Sequence, residues 1–210
     1  MNNKLFFNVL NEAFTFVASK RDELCHLDTK IGDGDHGVTV ERGFGAAAAL
    51  CDDFKGSVAE LFEAVSDVMA TAMGGAIGPV YGAFWLGAAQ SCKAEKPFNG
   101  EALANAFSSG CTSVMALGKV SPGDKTVVDA MFPCQEAMLK EKHNEFLLVL
   151  EAGALAARKG AEATKDMIAK RGRARFMGEK SKGYIDAGAV SFAMLTEAMA
   201  YAFKHAQEVN

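Results

Sequence analysis

Leu27-Asp28-Thr29-Lys30-Ile31-Gly32-Asp33-Gly34-Asp35-His36-Gly37 gathers three carboxylates and a histidine in one glycine-studded loop. Glycine accepts the positive φ and tight bends that strain other residues. Asp33 and Asp35 stand two positions apart, so in an extended segment their side chains face the same way. Asp28, five residues before Asp33, can fold back onto that pair. Three converging carboxylates repel one another unless a cation sits between them. Oxygen donors without paired thiols favour Mg²⁺ or Ca²⁺ over zinc.

Three simpler readings compete. An Asp/Gly-rich loop is most often a solvated turn. An EF-hand fails on spacing: counted from Asp33, the third ligand position is Gly37 and the twelfth is Phe44, where a bidentate Glu is required. An aspartyl-phosphate phosphatase places its Asp-x-Asp after an apolar strand, and Thr29-Lys30-Ile31-Gly32 is a poor strand. A metal loop therefore needs partners elsewhere in the chain.

Three segments offer them. Met73-Gly74-Gly75-Ala76-Ile77-Gly78-Pro79-Val80-Tyr81-Gly82 puts Pro79 where a helix begins, with glycines before it leaving backbone N–H groups bare for an anion. Gly118-Lys119-Val120-Ser121-Pro122-Gly123-Asp124-Lys125-Thr126 also precedes a helical pattern. Lys170-Arg171-Gly172-Arg173-Ala174-Arg175 is a basic run, followed by Gly178 to Gly188. Singly, each reads as an ordinary interhelical loop or a solvated basic face. None matches the Walker A or Rossmann pattern.

The rest of the chain is a string of helical periods. Leu5, Phe6, Val9, Leu10, Ala13, Phe14 and Val17 repeat at helical spacing. Further helices are predicted over 39–51, 58–73, 80–93, 100–117, 126–141 with a bend at Pro133, 145–168 and 189–207. No segment shows sustained β alternation. The Ala- and Met-rich stretches read as core packing. A length of 210 residues, half of them hydrophobic, fits one domain over 1–210 with a sizeable core. The net charge of −4 argues against nucleic acid. Cys25, Cys51, Cys92, Cys111 and Cys134 are scattered and odd in number, as expected of reduced core cysteines in a cytoplasmic protein. The segment 6–17 is amphipathic rather than a signal h-region, and no run is apolar enough to span a membrane.

Taken in order, the segments 28–43, 74–82, 118–129 and 172–188 resemble the nucleotide-binding L subunit of the dihydroxyacetone kinases. The run Ile31-Gly32-Asp33-Gly34-Asp35-His36-Gly37 with Arg42-Gly43-Phe44, and Pro122-Gly123-Asp124-Lys125-Thr126 with Asp129, are specific to that family. The resemblance implies an all-α fold, an eight-helix antiparallel bundle closed as a barrel with the nucleotide at one end; some relatives hold a lipid inside. It implies that Asp28, Asp33 and Asp35 hold two Mg²⁺ ions against the diphosphate of ADP or ATP. His36, Gly37, Val38 and Thr39 would meet the phosphates. Gly75, Ala76, Ile77 and Gly78 would approach phosphate or ribose. Gly118 and Val127 would line the adenine slot, and Arg173 with Asp186, Ala187 and Gly188 would close the other wall. Arg171 or Arg175 could take the place of Arg173; Lys30, Arg42 and Lys125 would flank the site.

The sequence departs from the family pattern at the rim. Ile77 stands where Ser is common, Val38 where Thr is, Thr39 where Asn is, Arg175 where Ser is, and Ala187 replaces the proline of Asp-Pro-Gly. The resemblance also implies half an enzyme: a separate K subunit holds the ketose covalently through a histidine, and the phosphoryl donor is either ATP or an M-type phosphocarrier. Dihydroxyacetone and short ketoses such as tetroses both fit. Two other classes compete with this reading: an ADP-loaded regulatory module, and a metal-dependent phosphatase, for which no nucleophile stands beside the aspartates.

Overall fold

The computed structural model describes residues 2–92 and 98–208, which form nine α-helices and two 3-10 segments with no strand among them. The helices are α1 (Asn3–Ala18), α2 (Arg21–Asp28), α3 (His36–Cys51), α4 (Val58–Ala72), α5 (Ile77–Ser91), α6 (Gly100–Gly118), α7 (Val128–Glu141), α8 (Phe146–Ala163) and α9 (Ala187–Glu208). Three of their starts follow ordinary capping chemistry. Asn2 and Asn99 cap α1 and α6 through their side chains, and Ser57 with Glu60 forms a reciprocal capping box on α4.

Short connections make successive helices antiparallel neighbours. α1 packs on α3, each of α3 to α8 packs on the next, and α8 packs on α9, which returns to α1. Eight helices thus close a ring, as the resemblance implies. α2 is the addition: it lies outside the ring, against α3 and α9. The up-and-down order brings the starts of α3, α5, α7 and α9 to one end, together with the ends of α1, α4, α6 and α8. All four segments singled out in the sequence are connections at that end.

Aromatic rings fill the barrel. Phe6, Phe14, Phe44, Phe62, Tyr81, Phe84, Trp85, Phe107 and Phe192 are all buried. They meet edge to face, as at Phe14–Trp85 (5.5 Å between centroids, 83°) and Phe44–Tyr81 (5.0 Å, 86°), the arrangement that ring quadrupoles favour. One continuous core takes residues from all nine α-helices. Close helix approaches depend on missing side chains: a Cβ at Gly110 would fall 2.7 Å from the Phe84 carbonyl oxygen, and one at Gly160 would fall 2.1 Å from that of Asp129. The Asp129 carbonyl is the one that Pro133, inside α7, deprives of its helical N–H. No helix is long and apolar enough, among the described residues, to cross a membrane.

Several boundaries differ from the periodicity. α3 begins at His36 and α5 at Ile77, each three residues before the apolar pattern, because glycines carry no hydrophobic period. Pro79 is therefore the third residue of α5, still within the turn whose N–H groups have no helical acceptor. α7 starts at Val128 rather than Thr126. α8 stops at Ala163, followed by a 3-10 turn at Thr164–Asp166, where the pattern extends to 168. Lys93, the expected end of the fourth predicted helix, lies outside the described residues. A second 3-10 segment, Arg173–Ser181, carries the basic run.

Candidate functional site

Asp28 ends α2, and its carboxylate turns back over the loop it precedes. Oδ2 accepts the N–H of Gly34 at 2.8 Å and that of His36 at 3.4 Å. A Cβ at Gly32 would stand 2.0 Å from Asp28 Oδ1, so the loop closes this tightly only over a glycine. Asp28, Asp33 and Asp35 each bring one carboxylate oxygen within 4.8 Å of the others. The crowding registers at Asp35, whose carboxyl is raised above its ordinary value by burial, then by the charges of Asp33 and Asp28. Arg173 reaches in from the 3-10 segment to pair with Asp33. Three carboxylates against one guanidinium leave a net negative cluster of hard oxygens, which fits a divalent cation such as Mg²⁺.

α3 starts directly after this cluster with no cap from its N-cap residue Asp35, only the long bond from His36 N–H to Asp28, and α5 starts at Ala76-Ile77 with no side-chain cap. Gly74, Gly75 and Ala76 are exposed in front of α5, and Gly75 takes φ +66°, which glycine adopts freely. Thr39 faces this turn, its hydroxyl 4.0 Å from where a Gly74 Cβ would be. Two open helix starts beside a cation cluster suit a polyphosphate. The start of α7 also lacks a cap from its own N-cap residue, but its first N–H goes to Thr126 Oγ1 at 3.2 Å. The Asp129 carboxylate accepts Gly123 N–H at 2.5 Å and Thr126 N–H at 2.7 Å before α7, while Asp186 accepts Ala189 N–H at 2.8 Å on α9. Between those two starts Val127 lies against Gly188, its Cβ 3.6 Å from a Cβ built there. Gly118 ends α6 against Val120.

The connection from α8 to α9 is bound down by charge. Lys125, at φ +60° and 1% exposed, donates to the carbonyls of Thr164 at 2.6 Å and Tyr184 at 2.5 Å. Thr164 Oγ1 in turn accepts Asp186 N–H at 2.9 Å, at the residue where α8 gives way to a 3-10 turn. Asp124 pairs with Lys170 at 3.3 Å and Arg171 at 3.7 Å, and Arg171 also donates to the Lys119 carbonyl at 2.7 Å. Arg175 stacks over Phe176, 4.6 Å from its centroid. Of the three arginines considered, Arg173 is the one at the carboxylates. Lys30 instead lines a cavity of about 250 Å³ with His26, Lys165 and Tyr184. Arg42 is exposed on α3.

His36, the first residue of α3, is buried, and its Nε2 lies 3.1 Å from Ser191 Oγ on α9. Burial pushes the imidazole down to about 4, against an opposing pull from Asp28, so the ring is neutral near pH 7. Burial likewise raises Asp186 to about 6, helped by the neighbouring charge of Asp129. Ser191 and Thr164 have no motif of their own, and only tertiary packing brings them to the site; Tyr81 and Lys125 lie in segments the sequence singled out, but their partners are decided by packing.

A ring of helices with a carboxylate cluster and open helix starts at one end defines a class, a cation-dependent polyanion binder. The particular family follows from comparison: residues 30–201 match the DAK2 domain, and the chain belongs to that family. It is 32% identical over 203 residues to the ADP-binding subunit of the PEP-dependent dihydroxyacetone kinase of Escherichia coli, covering 94% of this chain and 95% of that one. It is 37% identical over 192 residues to L-erythrulose 1-kinase of Mycolicibacterium smegmatis, covering 90% of this chain and 34% of that one. The crystal structure of the C. freundii dihydroxyacetone kinase with AMP-PNP and Mg²⁺ superposes with a TM-score of 0.73 at 26% identity over 96% of this chain. The chain spans about a third of those two longer proteins.

Proposed function

We infer that this chain is the nucleotide-binding subunit of a kinase for dihydroxyacetone or a related short ketose, presenting Mg²⁺-bound ADP or ATP to a substrate held on a separate K-type subunit. One observation carries the reading: Asp28, Asp33 and Asp35 converge within 4.8 Å, at the barrel end where α3 and α5 start without caps from their own N-cap residues. The relatives agree with it, one being an ADP-binding kinase subunit of matching length and another a kinase solved with AMP-PNP and Mg²⁺.

Mg²⁺ held by Asp28, Asp33 and Asp35 would neutralise charge on the phosphates. The three aspartates hold and orient that charge. The open N–H groups at Gly37 and Val38, and at Ile77 and Gly78, take phosphate oxygens, with Thr39, Gly75 and Ala76 at the rim. Arg173, now on Asp33, is placed to share the phosphate charge. Val127 and Gly188, with Gly118, Asp186 and Ala187, form the wall for the base. His36, beside the cluster, is buried with Nε2 held by Ser191, and no other described side chain there offers a covalent anchor for a ketone, so the acceptor comes from a partner docked on this end, which aligns it for in-line transfer. The donor is ATP or an M-type phosphocarrier; the relative in Escherichia coli is named a PEP-dependent kinase. The compartment is the cytoplasm, and residues 1–210 act as one domain.

The test is a reconstitution. Given ATP and dihydroxyacetone, the purified chain alone makes no triose phosphate; with a K-type subunit and a donor it does. Lys182→Glu, at an exposed rim position, lowers the coupled rate more than it lowers ADP affinity. Full turnover by the isolated chain would overturn the half-enzyme reading.

A further inference from the structure

One buried side chain ties together the two connections that lead into α7 and α9. Lys125 lies between α6 and α7, two positions before Val127. Its ammonium crosses to the connection between α8 and α9, where Nζ donates to the carbonyl oxygens of Thr164 at 2.6 Å and Tyr184 at 2.5 Å. From there the bonds run on into the turn that starts α9. Thr164 Oγ1 accepts the Asp186 N–H at 2.9 Å, and Asp186 Oδ2 accepts the Ala189 N–H at 2.8 Å. A Cβ built at Gly188, inside that turn, would lie 3.6 Å from the Cβ of Val127. The loop of contacts is closed: Val127 meets Gly188 directly, and Lys125 links the stretches of chain just before each of them.

The bond directions leave no choice, because an ammonium and a backbone N–H only donate and a carbonyl or carboxylate oxygen only accepts. Packing alone does not account for a lysine here. The residue is 1% exposed, and an ammonium taken out of water carries a desolvation cost that an apolar side chain of similar length would not. Two carbonyls and the nearby charges of Asp186, Asp129 and Asp166 offset that cost. Lys170 and Arg171 join the same two connections through Asp124, but both are largely exposed, where an ion pair contributes little.

We propose that Lys125, acting through Thr164 and Tyr184, is a positioning residue that holds Val127 and Gly188 as one rigid wall, so that the hold on a nucleotide's base, rather than on its phosphates, depends on it. The buried ammonium does not itself touch the ligand. The carboxylate cluster is carried by other elements, α2 and the loop before α3, so loosening the clamp spares the phosphate end. The assignment of the wall to a base rests on the functional reading above, while the clamp itself does not.

Calorimetry of the intact chain with Mg²⁺-ADP and with Mg²⁺-pyrophosphate separates the two ends of the ligand, since pyrophosphate has the phosphates without the base. Thr164→Val keeps the side-chain shape and deprives the Asp186 N–H of its acceptor. It weakens Mg²⁺-ADP about 5-fold, the order of one hydrogen bond, and leaves Mg²⁺-pyrophosphate at wild-type affinity. Thr164→Ser keeps the hydroxyl and restores ADP affinity. Lys125→Met gives the same selectivity with a loss of about 10-fold or more, since its bonds carry charge. Amide hydrogen exchange reads the clamp without ligand. In Lys125→Met the Asp186 and Ala189 amides, neither bonded to Lys125, exchange faster while the barrel core keeps its rates. Should that variant fail to fold, the Ala189 amide in Thr164→Val gives the same reading. Equal losses for both ligands, wild-type ADP affinity in the variants, or unchanged exchange at Ala189 overturns the proposal. So does a wild type that binds Mg²⁺-ADP no tighter than Mg²⁺-pyrophosphate. A wild type that binds neither ligand would instead defeat the functional reading and leave exchange to judge the clamp.

Discussion

Asp33 has two claims on its carboxylate, the guanidinium of Arg173 and the place it shares with Asp28 and Asp35. Asp33→Asn keeps its shape and removes its charge. Orienting partners of a metal site are worth 10–100-fold, so removing a charged ligand should weaken Mg²⁺-ADP by about 100-fold or more. The helical circular dichroism should be unchanged, since the barrel core is elsewhere. Calorimetry finding wild-type affinity in this variant would rule out the three-carboxylate site. Acid stability sets two other residues against each other. His36 titrates at about 4 in the fold against 6.5 unfolded, so between those values the unfolded chain binds more protons and stability falls with falling pH. Asp186 titrates at about 6 in the fold against 3.8, so in nearly the same window the fold binds more protons and stability rises with falling pH. Asp186→Asn, which still caps α9, removes the second effect alone. Its melting temperature should therefore drop more steeply than that of wild type from pH 6.5 to 4; an equal or shallower slope would show that the two shifts do not oppose.

At the scale of elements, α2 is what brings Asp28 to the site. It lies outside the ring and touches α3 through a position that must be glycine: a Cβ at Gly37 would fall 1.9 Å from the Arg21 carbonyl oxygen and 2.8 Å from Cys25 Sγ. Gly37→Ala should push α2 away and cost about 1–3 kcal/mol, the usual penalty of overpacking. Because Asp28 moves with α2, Mg²⁺ affinity should fall as well, and a denaturation series with a parallel Mg²⁺ titration would see both. An alanine variant with unchanged stability would mean that the contact is slack. The periodicity located eight helices but passed over α2, whose eight residues carry one fully buried side chain, Leu24. It also overran α8, which ends where Thr164 meets Asp186 and Lys125, contacts that the local pattern does not reveal. The candidate site was more legible, since Asp28, Asp33, Asp35 and Gly37 stand together in sequence. Ser191 lies 155 positions from His36 and 110 from Tyr81 and carries no local signal, while Tyr81 sits in a segment that the sequence marked without revealing its partner.

For the whole molecule, the ring places every ligand-facing segment at one end, so ligand and fold are coupled. On the proposed function, nucleotide and cation would bridge the starts of α3 and α5 and stabilise only the native ring. Saturation at 100 times the dissociation constant adds about 2.7 kcal/mol. For a chain of this size, Mg²⁺-ADP should raise the melting temperature by about 5–10 °C, and chelation of Mg²⁺ should abolish the rise. A chelator-resistant shift of the same size would place the nucleotide on groups other than the aspartates.

The sequence by itself determined the helical class, the aspartate loop and the family. Each depends on residues close in the chain: apolar spacing sets helices, and three carboxylates among glycines need no distant partner to be recognised. Only the tertiary structure decided that α2 stands outside the ring. It likewise decided that Arg173, rather than Arg171 or Arg175, reaches the carboxylates, and that Tyr81 and Ser191 hold His36. Those outcomes depend on which of several equivalent groups the closed ring brings within hydrogen-bonding distance. That choice is made by helix packing, which local residue patterns do not encode.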